Sequence, residues 1–129
     1  RNKITYIIDD DKLSIKLMSI LISKNNFCEE IVSFHNPQTA LDELKNNSNN
    51  PSKLPDVILL DLNMPVLDGW QFLEEFRKTK KENDDIKTTI YLVSSSDSQS
   101  DLDKAKEYQA EVKDYFFKPM TAELLGQIF

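Results

Sequence analysis

Five short runs of β-branched, aromatic and leucine residues punctuate the chain, and each is followed by a stretch of helical periodicity. Residues 4–8, 31–34, 57–60, 89–93 and 115–117 read as strands. The intervening stretches carry Leu13, Leu17, Ile20, Leu21 and Lys24; Ala40, Leu41 and Leu44; Trp70, Leu73 and Phe76 with Phe72; Leu102, Ala105 and Tyr108; and Leu124, Leu125 and Ile128. Each set has the spacing of one helix face. Strand-helix alternation repeated five times predicts a parallel sheet covered by helices on both faces, because parallel neighbours need crossovers and crossovers are right-handed. The expected fold is α/β, a doubly wound three-layer sandwich. Its five-stranded parallel sheet is expected in the order 2-1-3-4-5, a common one for small domains of this type.

The third run is the most informative. Val57-Ile58-Leu59-Leu60 is apolar without alternation, as in a strand buried on both faces. Asp61 stands at its end, and Pro65, Asp68 and Gly69 then turn the chain. A strand tip is a rigid mount, so Asp61 is expected to be held still and aimed outward. Other punctuation fits the same scheme. Asn25-Asn26 ends the first helix, Asn36-Pro37 supplies an N-cap and first-turn proline for the second, and Thr121 caps the last. Residues 45–55, rich in Asn and Ser with two prolines, read as a surface loop, and the basic run 77–81 as a solvated helix end favoured by the helix dipole. Gly126 weakens the last helix, which meets the final residue, Phe129, without a cap and is expected to be cut short.

With 129 residues there is room for one domain, spanning 1–129, and not for two. A net charge of -6 argues against direct contact with nucleic acid, whose phosphates need a basic face, but suits a site that concentrates a cation. Cys28 is the single cysteine, so no internal disulfide can form; a cytoplasmic location is expected, with Cys28 an inert, partly buried thiol. No apolar run approaches the ~20 residues of a membrane span, and no membrane association is expected.

In an open sheet of this order, ligands bind beyond the carboxyl ends of the strands where the order reverses, between strands 1 and 3. Strand 1 ends in Asp9 and Asp10, strand 3 in Asp61, strand 4 in Ser94 and strand 5 in Lys118, whereas His35 lies at the end of the outlying strand 2. Two unit charges ~5 Å apart at an effective dielectric of ~20 repel by roughly 3 kcal/mol, so the bare acidic cluster destabilises the domain. A hard divalent cation offsets that repulsion, and an all-oxygen site with few carboxylates suits Mg²⁺, with Mn²⁺ as a substitute. Asp can act as a nucleophile toward phosphorus, the metal and Lys118 can neutralise the phosphoryl oxygens, and Ser94 can hydrogen-bond them. One helix cap needs one Asp rather than three, and Asp11 is the natural cap.

These residues resemble the receiver domains of two-component response regulators. The acidic pair Asp9-Asp10, the segment Asp61-Leu62-Asn63-Met64-Pro65 with Asp68-Gly69, then Ser94 and Lys118-Pro119, occur in the family's order over essentially the whole chain. The resemblance implies a flavodoxin-like receiver fold in which Asp61 accepts a phosphoryl group from a phosphohistidine on a sensor histidine kinase or a histidine phosphotransfer protein. It implies a Mg²⁺ site made by Asp9, Asp10, Asp61 and the backbone carbonyl of Asn63. Lys118 would contact the phosphoryl group, with a cis bond to Pro119. Ser94 and Tyr115 would form a switch pair that alters the face of helix 4, strand 5 and helix 5 toward a downstream effector protein. The expected molecule is a signalling switch rather than an enzyme, catalysing only its own phosphorylation and dephosphorylation, as a monomer or as a dimer formed on phosphorylation. Ser94 stands where the family often has Thr; Ser96 and Asn63 occupy positions that influence phosphoryl lifetime.

Two other functions compete. A haloacid-dehalogenase-type phosphatase would use Asp9-x-Asp11, with Asp9 as nucleophile, but needs a further acidic pair after its Lys, and only Glu123 follows Lys118. A receiver-like binding module working without phosphorylation would need none of the five strand-end groups, all of which are present.

Overall fold

The order of the strands brings the site together. In a computed structural model, which describes residues 2–62, 64, 68–83, 86–96 and 98–129, five strands form one parallel sheet. They are β1 (Asn2–Ile8), β2 (Cys28–Phe34), β3 (Val57–Leu60), β4 (Thr89–Ser94) and β5 (Val112–Phe117), and they lie in the order β2-β1-β3-β4-β5. The register pairs Ile8 with Leu60 and Leu60 with Leu92, so the carboxyl ends of the three central strands are level. The helices are α1 (Lys12–Lys24), α2 (Pro37–Asn46), α3 (Gly69–Glu82), α4 (Gln99–Lys106) and α5 (Ala122–Ile128), with a 3-10 turn over Pro51–Lys53 inside the Asn-rich loop.

Alternation of side chains along each strand divides the core into two. Ile7 and Leu59 face Ile15, Met18, Ile22 and Leu125 on one side of the sheet. Ile8 and Leu60 face Leu41, Leu44, Phe72, Leu73 and Phe76 on the other. Every residue of β3 is buried, as its uninterrupted apolar run requires. Each large side chain sealed in this way stabilises the fold by roughly 1.5–3 kcal/mol relative to an exposed position. Cys28 is buried, with its Sγ 3.4 Å from the Glu30 carbonyl oxygen.

Two helices sit differently from the spacing argument. In α1 the buried residues are Ile15, Met18 and Ile22, while Leu13, Leu17 and Ile20 are 64%, 49% and 50% exposed. The helix carries apolar residues on nearly every side, so periodicity alone did not mark the inner face. In α4, Leu102 and Ala105 are half-buried and the helix ends at Lys106; Tyr108 is buried from the turn that follows. The basic run of α3 is not uniformly solvated either. Thr79 is buried with its hydroxyl donating to the Glu75 carbonyl (2.9 Å), and Arg77 reaches Glu111 at 2.7 Å and lies 4.7 Å over the Tyr108 ring.

Five N-caps fix where the helices start. Asp11, Asn36, Asp68, Ser98 and Thr121 each accept a backbone N–H from their helix's first turn. Asp68 forms a full capping box with Gln71, each donating a backbone N–H to the other's side chain at 2.9 Å.

Candidate functional site

Backbone bonds carry the sheet one residue past its strands. The Asp61 N–H donates to the Ile8 carbonyl (2.9 Å), the Asp9 N–H to the Phe34 carbonyl (3.0 Å), and the Lys118 N–H to the Ser94 carbonyl (2.9 Å). Asp9 and Asp61 therefore leave adjacent strand ends as rigid neighbours, and Lys118 starts beside Ser94. Asp9 is 1% and Asp61 6% exposed, whereas Asp10 is open to solvent. One carboxylate oxygen from each of Asp9, Asp10 and Asp61 lies within 4.8 Å of the others.

Lys118 provides the opposing charge. Its Nζ donates to Asp9 Oδ2 at 2.7 Å and lies 3.8 Å from Asp61 Oδ1. The other Asp9 oxygen accepts the Asp11 N–H at 2.9 Å. A carboxylate oxygen has two lone-pair sites, so each Asp9 oxygen keeps one acceptor direction after these bonds. Three convergent carboxylates with no nitrogen or sulfur donor among them fit a hard divalent ion such as Mg²⁺.

Asp11 belongs to the helix rather than to this cluster. The Leu13 N–H (3.0 Å) and the Ser14 hydroxyl (3.1 Å) donate to it, and these bonds, the Leu13 amide foremost, hold its carboxyl below the usual carboxylate range. Ser94 is fully buried at the end of β4, and its Oγ accepts the Ser96 N–H at 3.1 Å. The Tyr115 hydroxyl donates to the Ser96 carbonyl at 2.7 Å, so both proposed switch residues meet at Ser96. The Lys118-Pro119 bond is cis, as the resemblance implied. His35 is exposed at the end of β2, outside the cluster. The expected ligand carbonyl of Asn63 lies outside the described residues.

One supporting residue was misread in the sequence. Gly69 appeared there as a turn residue, yet it is the first residue of α3 and donates its N–H to the Leu62 carbonyl at 3.0 Å. A Cβ at this position would stand 2.7 Å from the Asp61 carbonyl oxygen and 2.8 Å from the Leu62 Cα. The Asp68-Gly69 pair marked the place; only the three-dimensional approach of α3 to the β3 tip gives the reason.

A doubly wound parallel sheet whose switch point gathers three carboxylates, a lysine and a serine defines a class of α/β phosphoryl-handling domain. The chain belongs to the response regulator receiver domain family, whose sequence profile matches residues 5–129. It is 28% identical over 117 residues to the chemotaxis protein CheY of Bacillus subtilis, covering 91% of this chain and 86% of that one. It is 30% identical over 122 residues to hybrid signal transduction histidine kinase I of Dictyostelium discoideum, covering 95% of this chain but only 7% of the kinase. The crystal structure of a two component response regulator from Cytophaga hutchinsonii superposes with a TM-score of 0.85 at 29% identity, covering 99% of this chain and 94% of that one. The protein is thus a receiver domain of two-component signalling, a family that interacts with histidine kinases and binds Mg²⁺ at an acidic cluster of the kind seen here. Among the described residues no helix is long and apolar enough to cross a membrane.

Proposed function

We propose that Asp61 is the residue that takes the phosphoryl group, from a phosphohistidine on a sensor histidine kinase or a histidine phosphotransfer protein. The observation that carries this reading is the position of Asp61 beside the Asp9–Lys118 ion pair, with the ammonium 3.8 Å from Asp61 Oδ1, at a strand tip pinned to Ile8. An oxygen of the ionised Asp61 carboxylate forms the O–P bond as the P–N bond breaks, and the electron pair leaves on the imidazole nitrogen. Asp9, Asp10 and Asp61 would hold Mg²⁺, or Mn²⁺ in its place, with the Asn63 carbonyl as the further ligand that the family resemblance implies. When bound, the ion neutralises charge on the phosphoryl oxygens.

Lys118 then serves the incoming group as a second cation. Its Nζ lies 3.8 Å from Asp61 Oδ1, so a phosphoryl group on Asp61 arrives beside it. Ser94 offers its hydroxyl proton to a phosphoryl oxygen while its Oγ goes on accepting the Ser96 N–H. Tyr115 senses the same loop through the Ser96 carbonyl. The face of α4, β5 and α5 is the output surface for a downstream effector protein, and the domain makes no nucleic-acid contact of its own. It acts in the cytoplasm as a switch, and the only chemistry it catalyses is its own phosphorylation and dephosphorylation.

Incubation with acetyl phosphate and Mg²⁺ should raise the intact mass by one phosphoryl group, and Asp61→Asn should abolish the gain. A protein that acquires no label contradicts this assignment and favours a module that works through its surface alone; equal labelling of Asp61→Asn contradicts it by placing the acceptor at another residue.

A further inference from the structure

We propose that Ser96 is a positioning residue that mechanically joins the Ser94–Tyr115 pair to the first turn of α4. All three of its polar groups are committed, and in three different directions. Its N–H donates to Ser94 Oγ at 3.1 Å, its carbonyl accepts the Tyr115 hydroxyl at 2.7 Å, and its own hydroxyl donates to the Asp101 carboxylate at 2.7 Å. A serine hydroxyl has one proton. The short contact to a charged acceptor takes it, leaving the Ser96 Oγ lone pairs to receive the Ser98 N–H at 3.3 Å.

The link matters because α4 has little else to place it. The helix is eight residues long, contains no fully buried residue, and at two turns is too short to be stable by itself. Beyond Ala105 against the core and Lys104 lying 5.2 Å over the Trp70 ring, its position is set at its ends. At the carboxyl end, Tyr108 donates its hydroxyl to Glu74 of α3 (2.7 Å) and stacks on Trp70 at 5.6 Å between ring centroids. At the amino end, Ser98 caps the Asp101 N–H at 3.2 Å, and the Asp101 side chain is held by Ser96. Any shift of Ser94 toward a phosphoryl oxygen moves the Ser96 amide, and the Ser96 hydroxyl passes that shift to Asp101. Replacing the hydroxyl leaves the Ser94 and Tyr115 bonds to the Ser96 backbone intact but removes the side-chain bonds to Asp101 and to the Ser98 N–H.

The functional meaning rests on the roles given above to Ser94 and Tyr115; the test of the link does not need phosphorylation. Tyr115→Phe deletes the hydroxyl bond to the Ser96 carbonyl and keeps the ring. In ¹H–¹⁵N spectra it should shift the amides of Asp101 and Leu102 when Ser96 is present. In a Ser96→Ala background that α4 response should be lost, while the Ser96-proximal response at Ser94 and Ser95 persists; Ser96→Thr, which retains the hydroxyl, should restore it. Equal α4 shifts with Ser, Ala and Thr at position 96, or no α4 shift with any of them, overturn the proposal. Acetyl phosphate labelling of the same proteins is read separately, since a wild type that gains no phosphoryl mass refutes the role of Asp61 while the amide coupling still judges Ser96.

Discussion

A Cβ on Gly69 would stand 2.7 Å from the carbonyl oxygen of Asp61, closer than side-chain carbons approach a backbone oxygen. The first residue of α3 is therefore pressed against the segment that aims the acceptor carboxylate. Both contacts are backbone, which cannot swing aside as a flexible side chain would.

Gly69→Ala should accordingly cost about 1–3 kcal/mol, the usual range for forcing a methyl group into a filled space. Relief of the clash would push either α3 or the Asp61–Leu62 backbone. The variant should therefore lose stability in urea denaturation and also lose phosphoryl acceptance, although Gly69 has no side chain to contribute. A Gly69→Ala protein with wild-type midpoint and wild-type labelling would show that the loop yields without consequence.

Lys118 and Asp9 form the best-buried ion pair of the site, at 2.7 Å with 18% and 1% side-chain exposure. Removal of the cation alone leaves Asp9 with a single backbone donor, the Asp11 N–H, and an uncompensated charge beside Asp61. Lys118→Met, which keeps much of the apolar stem, should lower stability by about 3 kcal/mol in EDTA, at the low end of the cost of breaking a buried pair. Mg²⁺ should narrow that deficit, because a cation bound only by the folded state replaces part of the lost charge. Urea midpoints of both proteins, with and without Mg²⁺, give the comparison; an equal deficit in both media would mean that the metal and Lys118 do not share Asp9.

The alternation of strands and helices was legible because β propensity, helix periodicity and the sheet's handedness rules all give one answer, and the convergence of Asp9, Asp10, Asp61, Ser94 and Lys118 follows from that topology. What escaped depends on packing between distant segments. Leu13, Leu17 and Ile20 have a helical spacing just as Ile15, Met18 and Ile22 do, and only packing against the sheet and α5 decides which set is covered. Gly69 owes its necessity to a neighbour eight residues back, and Arg77 exchanges solvent for Glu111 and Tyr108 across 34 and 31 positions of chain. The triple role of Ser96 was equally invisible, since serine near a helix start usually signals only a cap.

Metal binding has its own signature in stability. The carboxylate oxygens of Asp9, Asp10 and Asp61 lie within 4.8 Å, where bare unit charges at an effective dielectric of ~20 repel by roughly 3 kcal/mol, less for solvent-screened Asp10. Mg²⁺ at about a hundredfold excess over its Kd should add roughly 2.7 kcal/mol to folding, seen as a rise of roughly 10 °C in Tm. Asp10→Ala should remove this increment while leaving the metal-free protein at least as stable as the parent, because it deletes one repelling charge at an exposed position. An Asp10→Ala protein that still gains the full Mg²⁺ increment would take Asp10 out of the ligand set.

Alkaline pH should expose a different part of the molecule. Burial, then the hydrogen bond to Glu74, pushes the Tyr108 hydroxyl up to about 12, and burial, then the nearby Glu43, does the same to Tyr6. Both groups hold their proton more tightly when folded than in the unfolded chain, where tyrosine titrates near 10. Their contribution is fully present below pH ~10; above it the unfolded chain binds fewer protons, so stability falls as pH rises and the contribution is gone once pH has passed about 12. With roughly two pH units between the states, each tyrosine accounts for about 2–3 kcal/mol of that loss. Tyr108→Phe should be less stable near neutrality by about 1–2 kcal/mol, for the lost bond to the Glu74 carboxylate. It should also lose stability less steeply between pH 10 and 12, because one of the two titrating groups is gone. Urea midpoints at pH 8, 10 and 11, with absorbance titration of the folded protein, measure both effects. Parallel pH profiles for Tyr108→Phe and wild type would mean that the Tyr108 proton is not held by the fold, and that its stacking on Trp70, rather than its bond to Glu74, is what fixes the end of α4.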